Sequence, residues 1–291
     1  MEAFDYVAPR SLAEAFAALG NGKRSLMLAG GTDVIVQLRE GRKQCDQVID
    51  LKHIPEMMAM ASRPDGSLEV GAAVPLARIY EDATVRARLP ALVDAASIIG
   101  GTAIQSRASL GGNLCNASPA ADSSPALMVL GARLNIVSPS GSRELAVEEF
   151  FAGPGRNTLQ PGEILASIRI PAQPDRSAAY YHRFIPRNEM DIAVASSGVR
   201  IQLAADGATI EAARVALGAV AATPIMVPAA AAALVGRPAG PEAFAAAGQA
   251  ASDAATPIDD MRGGAAQRKH LARILTIRAL EGALQRLREA R

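Results

Sequence analysis

Two pairs of adjacent glycines, each beside hydrogen-bond donors, carry the clearest chemistry of this sequence. The two stretches read Leu28-Ala29-Gly30-Gly31-Thr32-Asp33 and Ser109-Leu110-Gly111-Gly112-Asn113. Adjacent glycines allow backbone N–H groups to point into one concavity, which suits a phosphate. Thr32, Ser109 and Asn113 would add side-chain donors, and Gly111 is expected to leave room for the phosphate. Two such loops facing each other would bind the two phosphates of a dinucleotide. Taken alone, a Gly-Gly pair is more often a plain turn, so that alternative stays open.

The second stretch continues into a segment that is typical of close approach to a ligand. Asn116, Ser118 and Asp122 are polar groups set among small residues. Asp122 would accept a hydrogen bond from a ribityl hydroxyl or a ring N–H. A solvated loop with Asx turns is the alternative. Neither glycine pair has the G-x-G-x-x-G spacing of a dinucleotide fold or the Gly-Lys-Ser/Thr of a nucleoside triphosphatase.

The elements that must hold these loops form an α+β pattern in two parts. Ser11 and Glu14 form a capping box before the helix Leu12–Leu19, and strands at 25–29 and 47–51 complete a small β–α–β unit. Residues 100–125 show little periodicity and are predicted to be a long functional loop. Two prolines mark 171–177 as a linker. The other predicted elements are strands at 67–74, 133–137, 163–170, 199–203 and 215–220, and helices at 76–83, 89–99, 126–130, 229–234, 242–254 and 267–289.

Composition excludes several classes of function. A net charge of +1 recruits neither nucleic acid nor an anionic membrane, and 3% aromatic residues offer few stacking surfaces. Cys45 and Cys115 are too few for an iron–sulfur cluster or a structural zinc, which need about four ligands. No apolar run reaches the length of a membrane span or a signal peptide. We therefore expect a cytoplasmic protein with no membrane insertion.

Several stretches resemble the FAD-binding subunits of the xanthine dehydrogenase and carbon monoxide dehydrogenase (molybdenum hydroxylase) family. The first glycine loop and the long stretch from Ser109 to Asp122 resemble the two FAD-binding loops of this family. The similarity continues through three later segments at 187–193, 217–224 and 257–263. One departure is Gln105-Ser106-Arg107-Ala108-Ser109, where many members have Arg-Asn-Arg-Gly-Thr; the serine keeps the hydroxyl.

The resemblance implies an FAD-binding domain of the vanillyl-alcohol oxidase and carbon monoxide dehydrogenase flavoprotein type at 1–175, with subdomains at 1–53 and 54–175. A small α+β domain would follow at 176–291. It also implies that the first loop holds the pyrophosphate and that Asp122 lies near the flavin. Leu165 would pack on the isoalloxazine, and Arg183 falls where some members carry a lysine near the ring. The expected cofactor-binding residues are Met27, Leu28, Ala29, Gly30, Gly31, Thr32, Asp33, Val34, Ile104, Ser109, Leu110, Gly111, Gly112, Asn113, Asp122, Leu165 and Arg183.

The implied function is electron transfer rather than substrate oxidation. None of His53, His182 and His270 lies in a glycine loop, so noncovalent FAD is expected. Molybdopterin and 2Fe–2S clusters would reside only in partner chains, a large and a small subunit, in a dimer of heterotrimers. A free-standing FAD oxidase of the vanillyl-alcohol type and a non-catalytic scaffold are the alternatives. A basic face on the last helix is either a solvated surface or a docking surface: Arg262, Arg268, Lys269, Arg273 and Arg278.

Overall fold

A small parallel sheet opens the chain and presents the first glycine loop. The computed structural model describes residues 2–187 and 189–290. The first elements are β1 (Asp5–Val7), α1 (Leu12–Leu19), β2 (Ser25–Leu28), α2 (Val34–Arg39) and β3 (Gln47–Asp50). The strands pair in parallel in the order β1-β3-β2, which confirms the predicted β–α–β unit. Because the strands are parallel, the turn after β2 and the end of β3 meet at the same sheet edge.

A larger antiparallel sheet, flanked by short helices, follows. Its elements, in chain order, are α3 (Pro55–Met58), β4 (Met60–Ser62), β5 (Leu68–Gly71), α4 (Leu76–Glu81), α5 (Ala83–Arg88), α6 (Pro90–Ala96), α7 (Thr102–Gln105), α8 (Leu110–Asn116), α9 (Ser123–Leu130), β6 (Arg133–Ser138), β7 (Gly141–Ala146), β8 (Phe151–Gly153), β9 (Arg156–Asn157) and β10 (Ile164–Ile170). The sheet order is β4-β5-β10-β6-β7. Its apolar faces and the helices share one core, which also includes Ile49 from the small sheet.

The stretch 100–125 differs from the prediction of a long loop. Most of it is helical, in the short helices α7, α8 and the start of α9. The Ser109 hydroxyl caps α8 by accepting from the Gly112 N–H. Helices of four to eight residues are too short to give a readable apolar period, and the glycines lower the helix propensity. The sequence pattern therefore did not predict these short helices.

The second part of the chain is a sheet covered by two long helices. Its elements are β11 (Ser177–Phe184), β12 (Ala195–Leu203), β13 (Ile210–Gly218), β14 (Ile225–Met226), α10 (Pro228–Ala232), α11 (Pro241–Ala254) and α12 (Ala265–Glu289). The strands are antiparallel in the order β11-β12-β13-β14, and their core with the helices is separate from the first. β12 contacts both α12 and α9, so the sheet is held between its own helix and a helix of the first part.

An ion pair between α12 and α6 fastens the two parts together. Arg286 binds Asp94 with two nitrogens, at 2.6 and 2.8 Å, and also donates to the Ala179 carbonyl at 2.7 Å. Its guanidinium lies 4.2 Å from the centroid of the Tyr180 ring. β11, which carries Tyr180, is thereby fixed between the two cores.

Candidate functional site

The first glycine loop is a turn with a row of free donors. Gly31 has φ of +77°, a left-handed conformation that favours glycine. Within the described chain, the backbone N–H groups of residues 30–34 donate to no protein acceptor. Lys52 anchors the loop from β3, donating to the Ala29 carbonyl at 2.7 Å and to Asp50 at 2.6 Å. Burial acts to raise the pKa of Asp50, but hydrogen bonds from Lys52 and Tyr6 hold it below its usual value. The loop therefore offers several backbone donors that could bind an anionic ligand.

The second loop presents donors from the start of α8. Ser109 is buried, and its oxygen is occupied by the Gly112 N–H, so its own O–H remains available. Gly112 is exposed, and a Cβ added to it would meet only the Ser109 hydroxyl, at 3.2 Å. The Asn113 carbonyl oxygen accepts from the Ser123 hydroxyl at 2.6 Å. The Asn113 NH₂ group donates to no protein acceptor in the described chain, so it remains available as a donor.

The structure brings the two loops together. Gly30 packs on the chain just before Ser109, and a Cβ added to it would overlap the Arg107 carbonyl and lie 2.8 Å from the Ala108 nitrogen. Gln37 of α2 also donates to the Asn116 side chain of α8 at 3.1 Å. The two glycine loops thus lie in direct contact with each other.

Two other predicted residues, Asp122 and Arg183, meet in a buried cluster. Asp122 accepts from Arg183 Nη1 at 2.7 Å and from the Tyr181 hydroxyl at 2.6 Å. Arg183 Nη2 donates to the Ile98 carbonyl at 2.7 Å. Burial raises the pKa of Asp122, while the charge of Arg183 and both hydrogen bonds oppose this rise. Both carboxylate oxygens of Asp122 are therefore engaged by donors of β11.

The remaining predicted residues are apolar and support the two loops. Met27 and Leu28 lie in β2, Val34 begins α2, and Ile104 packs under Gly100. Leu165 lies in β10 and is 3% exposed, so it offers little surface of its own. Its neighbour Ala166 accepts a hydrogen bond from the Ala72 N–H, and the Ala72 carbonyl accepts from Gly111. Leu165 is therefore placed close beneath the second loop.

Two expectations are wrong in their physical basis. Gly111 is buried, and a Cβ there would lie 2.5 Å from both the Cβ and the carbonyl oxygen of Ala72. The absent side chain thus makes room for Ala72 and not for a phosphate, and Gly111→Val would disturb the fold itself. Arg268 is also not part of a basic surface, because it is buried and donates to the carbonyls of Val194 and Ala219 and to Asp260.

Four residues of the site were not predicted from the sequence. Lys52, Gln37 and Ser123 act on the loops through single hydrogen bonds, which leave no pattern in a sequence. Tyr181 is different, because it precedes Arg183 by two positions and so shares its face of β11. Had residues 177–184 been predicted as a strand, that spacing would have identified it.

The other reactive side chains lie outside this cluster. The ring of His182 faces Tyr180, on the opposite side of β11 from Tyr181. Among the described residues, no group of histidine, cysteine and acidic side chains could hold a metal ion. No helix in the described part of the chain is both long and apolar enough to cross a membrane.

The fold and these loops define a two-part flavoprotein, and comparison with known proteins gives its family. Residues 2–173 match the FAD binding domain in molybdopterin dehydrogenase, and residues 179–283 match the CO dehydrogenase flavoprotein C-terminal domain. The chain belongs to this family of FAD-binding subunits of molybdenum hydroxylases.

Named relatives and solved structures agree with this assignment. The xanthine dehydrogenase FAD-binding subunit of Escherichia coli O157:H7 is 34% identical over 74% of this chain and 73% of its own length. The carbon monoxide dehydrogenase medium chain of Hydrogenophaga pseudoflava is 30% identical over 97% of this chain and 98% of its own. A structure of that organism's carbon monoxide dehydrogenase, lacking the Mo-pyranopterin moiety, matches with a TM-score of 0.93 at 30% identity over 98% of both chains.

Quinoline 2-oxidoreductase from Pseudomonas putida 86 also matches, with a TM-score of 0.92 at 28% identity over 98% of both chains. These similar proteins are named as dehydrogenases or oxidoreductases, or as their subunits and medium chains. Together they favour an electron-transfer component of an oxidoreductase complex over a free-standing oxidase.

Proposed function

We propose that this chain holds noncovalent FAD across the two glycine loops, with the pyrophosphate over residues 30–34. The run of backbone N–H groups at these positions, which donate to no protein acceptor, carries the proposal, because successive N–H groups of a turn suit a phosphate. Ser109 and Asn113 would bind the phosphate and ribityl region through their free donors. Gly30 supports this arrangement through packing, since a Cβ there would overlap the Arg107 carbonyl and separate the two loops.

The ring is proposed to lie between the Leu165 side of the second loop and the Asp122–Arg183 pair. Asn113 supports this direction, because its amide is tied to Ser123, the residue next to Asp122. We also propose that the FAD-binding domain ends near residue 175, in the segment between β10 and β11. The chain's role in the reaction is to bind and orient the cofactor and to set the charge around its ring.

When bound, FAD supplies the ability to take up electrons singly and to release them in pairs, which suits transfer from one-electron clusters to a two-electron acceptor. Two cysteines are too few for a cluster in this chain. We therefore propose a small iron–sulfur subunit and a large molybdopterin subunit as partners, in a cytoplasmic dimer of heterotrimers.

The segment 183–192 is the proposed docking site for the iron–sulfur partner. Its exposed side chains include the apolar Phe184, Met190 and Ile192, exposed by 38%, 56% and 48%, together with the charged Arg187 and Glu189. Met190 lies against Gly101, next to the helix that carries Ile104. The segment also includes Asn188, which lies outside the described residues. Exposed apolar side chains grouped together and flanked by charged residues are typical of a protein–protein contact.

Separate expression and co-expression test this proposal. The chain purified alone should show a flavin spectrum, and acid precipitation should release the yellow colour into the supernatant. Colour that stays in the pellet would indicate a covalent link and contradict the noncovalent assignment.

Turnover tests the dependence on partners. With an artificial electron acceptor and a panel that begins with xanthine and carbon monoxide, the chain alone should be inactive. The co-expressed complex of three different chains should be active on its substrate. Equal rates for the single chain and the complex would refute the proposal, since the chain would then be a complete enzyme.

A further inference from the structure

We propose that Tyr181 is a positioning residue that orients Asp122 and preserves its negative charge beside the flavin ring. The inference rests on the proposed placement of the ring near Asp122. It concerns a residue of the second part of the chain, outside both glycine loops.

Two side chains of β11, Tyr181 and Arg183, hold the carboxylate of Asp122. Side chains alternate along a strand, so Tyr181 and Arg183 point to one face while Tyr180 and His182 point to the other. The first face meets the start of α9, where the Tyr181 hydroxyl is 2.6 Å and Arg183 Nη1 is 2.7 Å from separate oxygens of Asp122. One carboxylate is thus held at both oxygens by two donors from a single rigid strand.

The neighbours of Asp122 favour its ionised form. Asp122 is 7% exposed, and burial alone favours its neutral form. Arg183 is a permanent cation, and Arg183 and Tyr181 both donate to the carboxyl oxygens, so the folded cluster contains a carboxylate. Arg183 also donates to the Ile98 carbonyl, whereas the single phenolic proton of Tyr181 is donated to Asp122.

The phenol of Tyr181 is itself held in the protonated form. Tyr181 is 2% exposed, and this burial, together with the adjacent Asp122 charge, raises the pKa of its phenol well above the usual value. Tyr181 therefore stays protonated at neutral pH and remains a donor to Asp122.

A negative charge near the isoalloxazine disfavours the added negative charge of the reduced flavin. Loss of the Tyr181 hydroxyl removes one of the bonds that oppose protonation of Asp122. It should therefore move Asp122 towards the neutral acid and shift the flavin potential in the positive direction. A residue that only supported the fold would change stability without this shift.

The test is the midpoint potential of FAD bound to the purified chain, measured for Tyr181→Phe and for Tyr180→Phe. The two variants lose the same hydroxyl from neighbouring positions of one strand, but the Tyr180 ring faces Gly282 and Arg286 instead. We expect a positive shift for Tyr181→Phe and none for Tyr180→Phe. In an Asp122→Ala background, Tyr181→Phe should cause no further shift.

An unchanged potential in Tyr181→Phe with full FAD content would overturn the inference, as would an equal shift in the Asp122→Ala background. If Tyr181→Phe does not fold, Asp122→Asn, which keeps the shape of the side chain and removes its charge, should shift the potential in the positive direction; no shift would again refute the idea. A native chain that binds no FAD would instead refute the proposed site, and this inference with it.

Discussion

At Gly30 the two loops approach so closely that a hydrogen atom is the only substituent that fits beside the Arg107 carbonyl. We expect Gly30→Ala to push the first loop away from the second and to weaken FAD binding. Forcing one extra carbon into a packed contact costs about 1–3 kcal/mol, and about 1.4 kcal/mol corresponds to a tenfold loss of affinity. Titration of the apo chain with FAD, followed by flavin fluorescence, would measure it.

Gly240→Ala is the matched control, because nothing lies within 4 Å of a Cβ at that position and its φ of −176° suits any residue. It should bind FAD like the native chain. Undiminished affinity in Gly30→Ala would show that the loops do not need this contact.

Cys115 lies one turn beyond the donors of the second loop and should be inert. It is partly buried, and desolvation of its thiol raises the pKa to about 12. A raised thiol pKa means that very little of the reactive thiolate is present near neutral pH. We expect iodoacetamide to modify Cys115 in the native chain far more slowly than in urea, as followed by mass spectrometry. Equal rates in both states would contradict the assigned environment.

At the scale of elements, the Arg286 ion pair between α12 and α6 should contribute to the attachment of the second part. Arg286→Ala would remove the two bonds to Asp94, the bond to the Ala179 carbonyl and the contact with the Tyr180 ring. Hydrogen bonds to charged groups contribute about 1.5–3 kcal/mol. Thermal unfolding should show a lowered Tm. Arg288→Ala, at an exposed position of the same helix, should leave Tm unchanged, and equal Tm values for both variants would argue against this role.

Some elements of the fold could be predicted from the sequence and others could not. The β–α–β unit and the long α12 were predictable because their apolar residues repeat with a clear period. β11 was not, because its buried face carries Tyr181 and Arg183, whose burial depends on Asp122 in another part of the chain. The glycine loops were located from their residue types. The free N–H groups, the fit of Gly30 against Arg107 and the role of Gly111 depend on tertiary contacts that no local pattern records.

At the scale of the whole molecule, the exposed apolar side chains of segment 183–192 should matter only in the complex. We expect Met190→Glu combined with Ile192→Glu to leave Tm and FAD content of the isolated chain unchanged, since both side chains are exposed. The same variant should lose most of its co-purification with the iron–sulfur partner, because a charge at an apolar contact must be desolvated. Val235→Glu, an equally exposed apolar position outside the segment, is the control. Full retention of the partner by the double variant would place the interface elsewhere.

The cluster around Asp122 joins residues that are made at different times. Tyr181 follows Asp122 by 59 residues and Arg183 follows it by 61. Synthesis proceeds from the N-terminus at about 5–20 residues per second, so for several seconds a growing chain contains Asp122 without either donor. During that interval the carboxylate has no compensation for burial and must remain in water, and the start of α9 cannot pack against its final neighbours. A ribosome-bound chain that stops before β11 should therefore carry both glycine loops but lack the finished ring end of the site, so stable loading of the cofactor must wait for the second part to emerge.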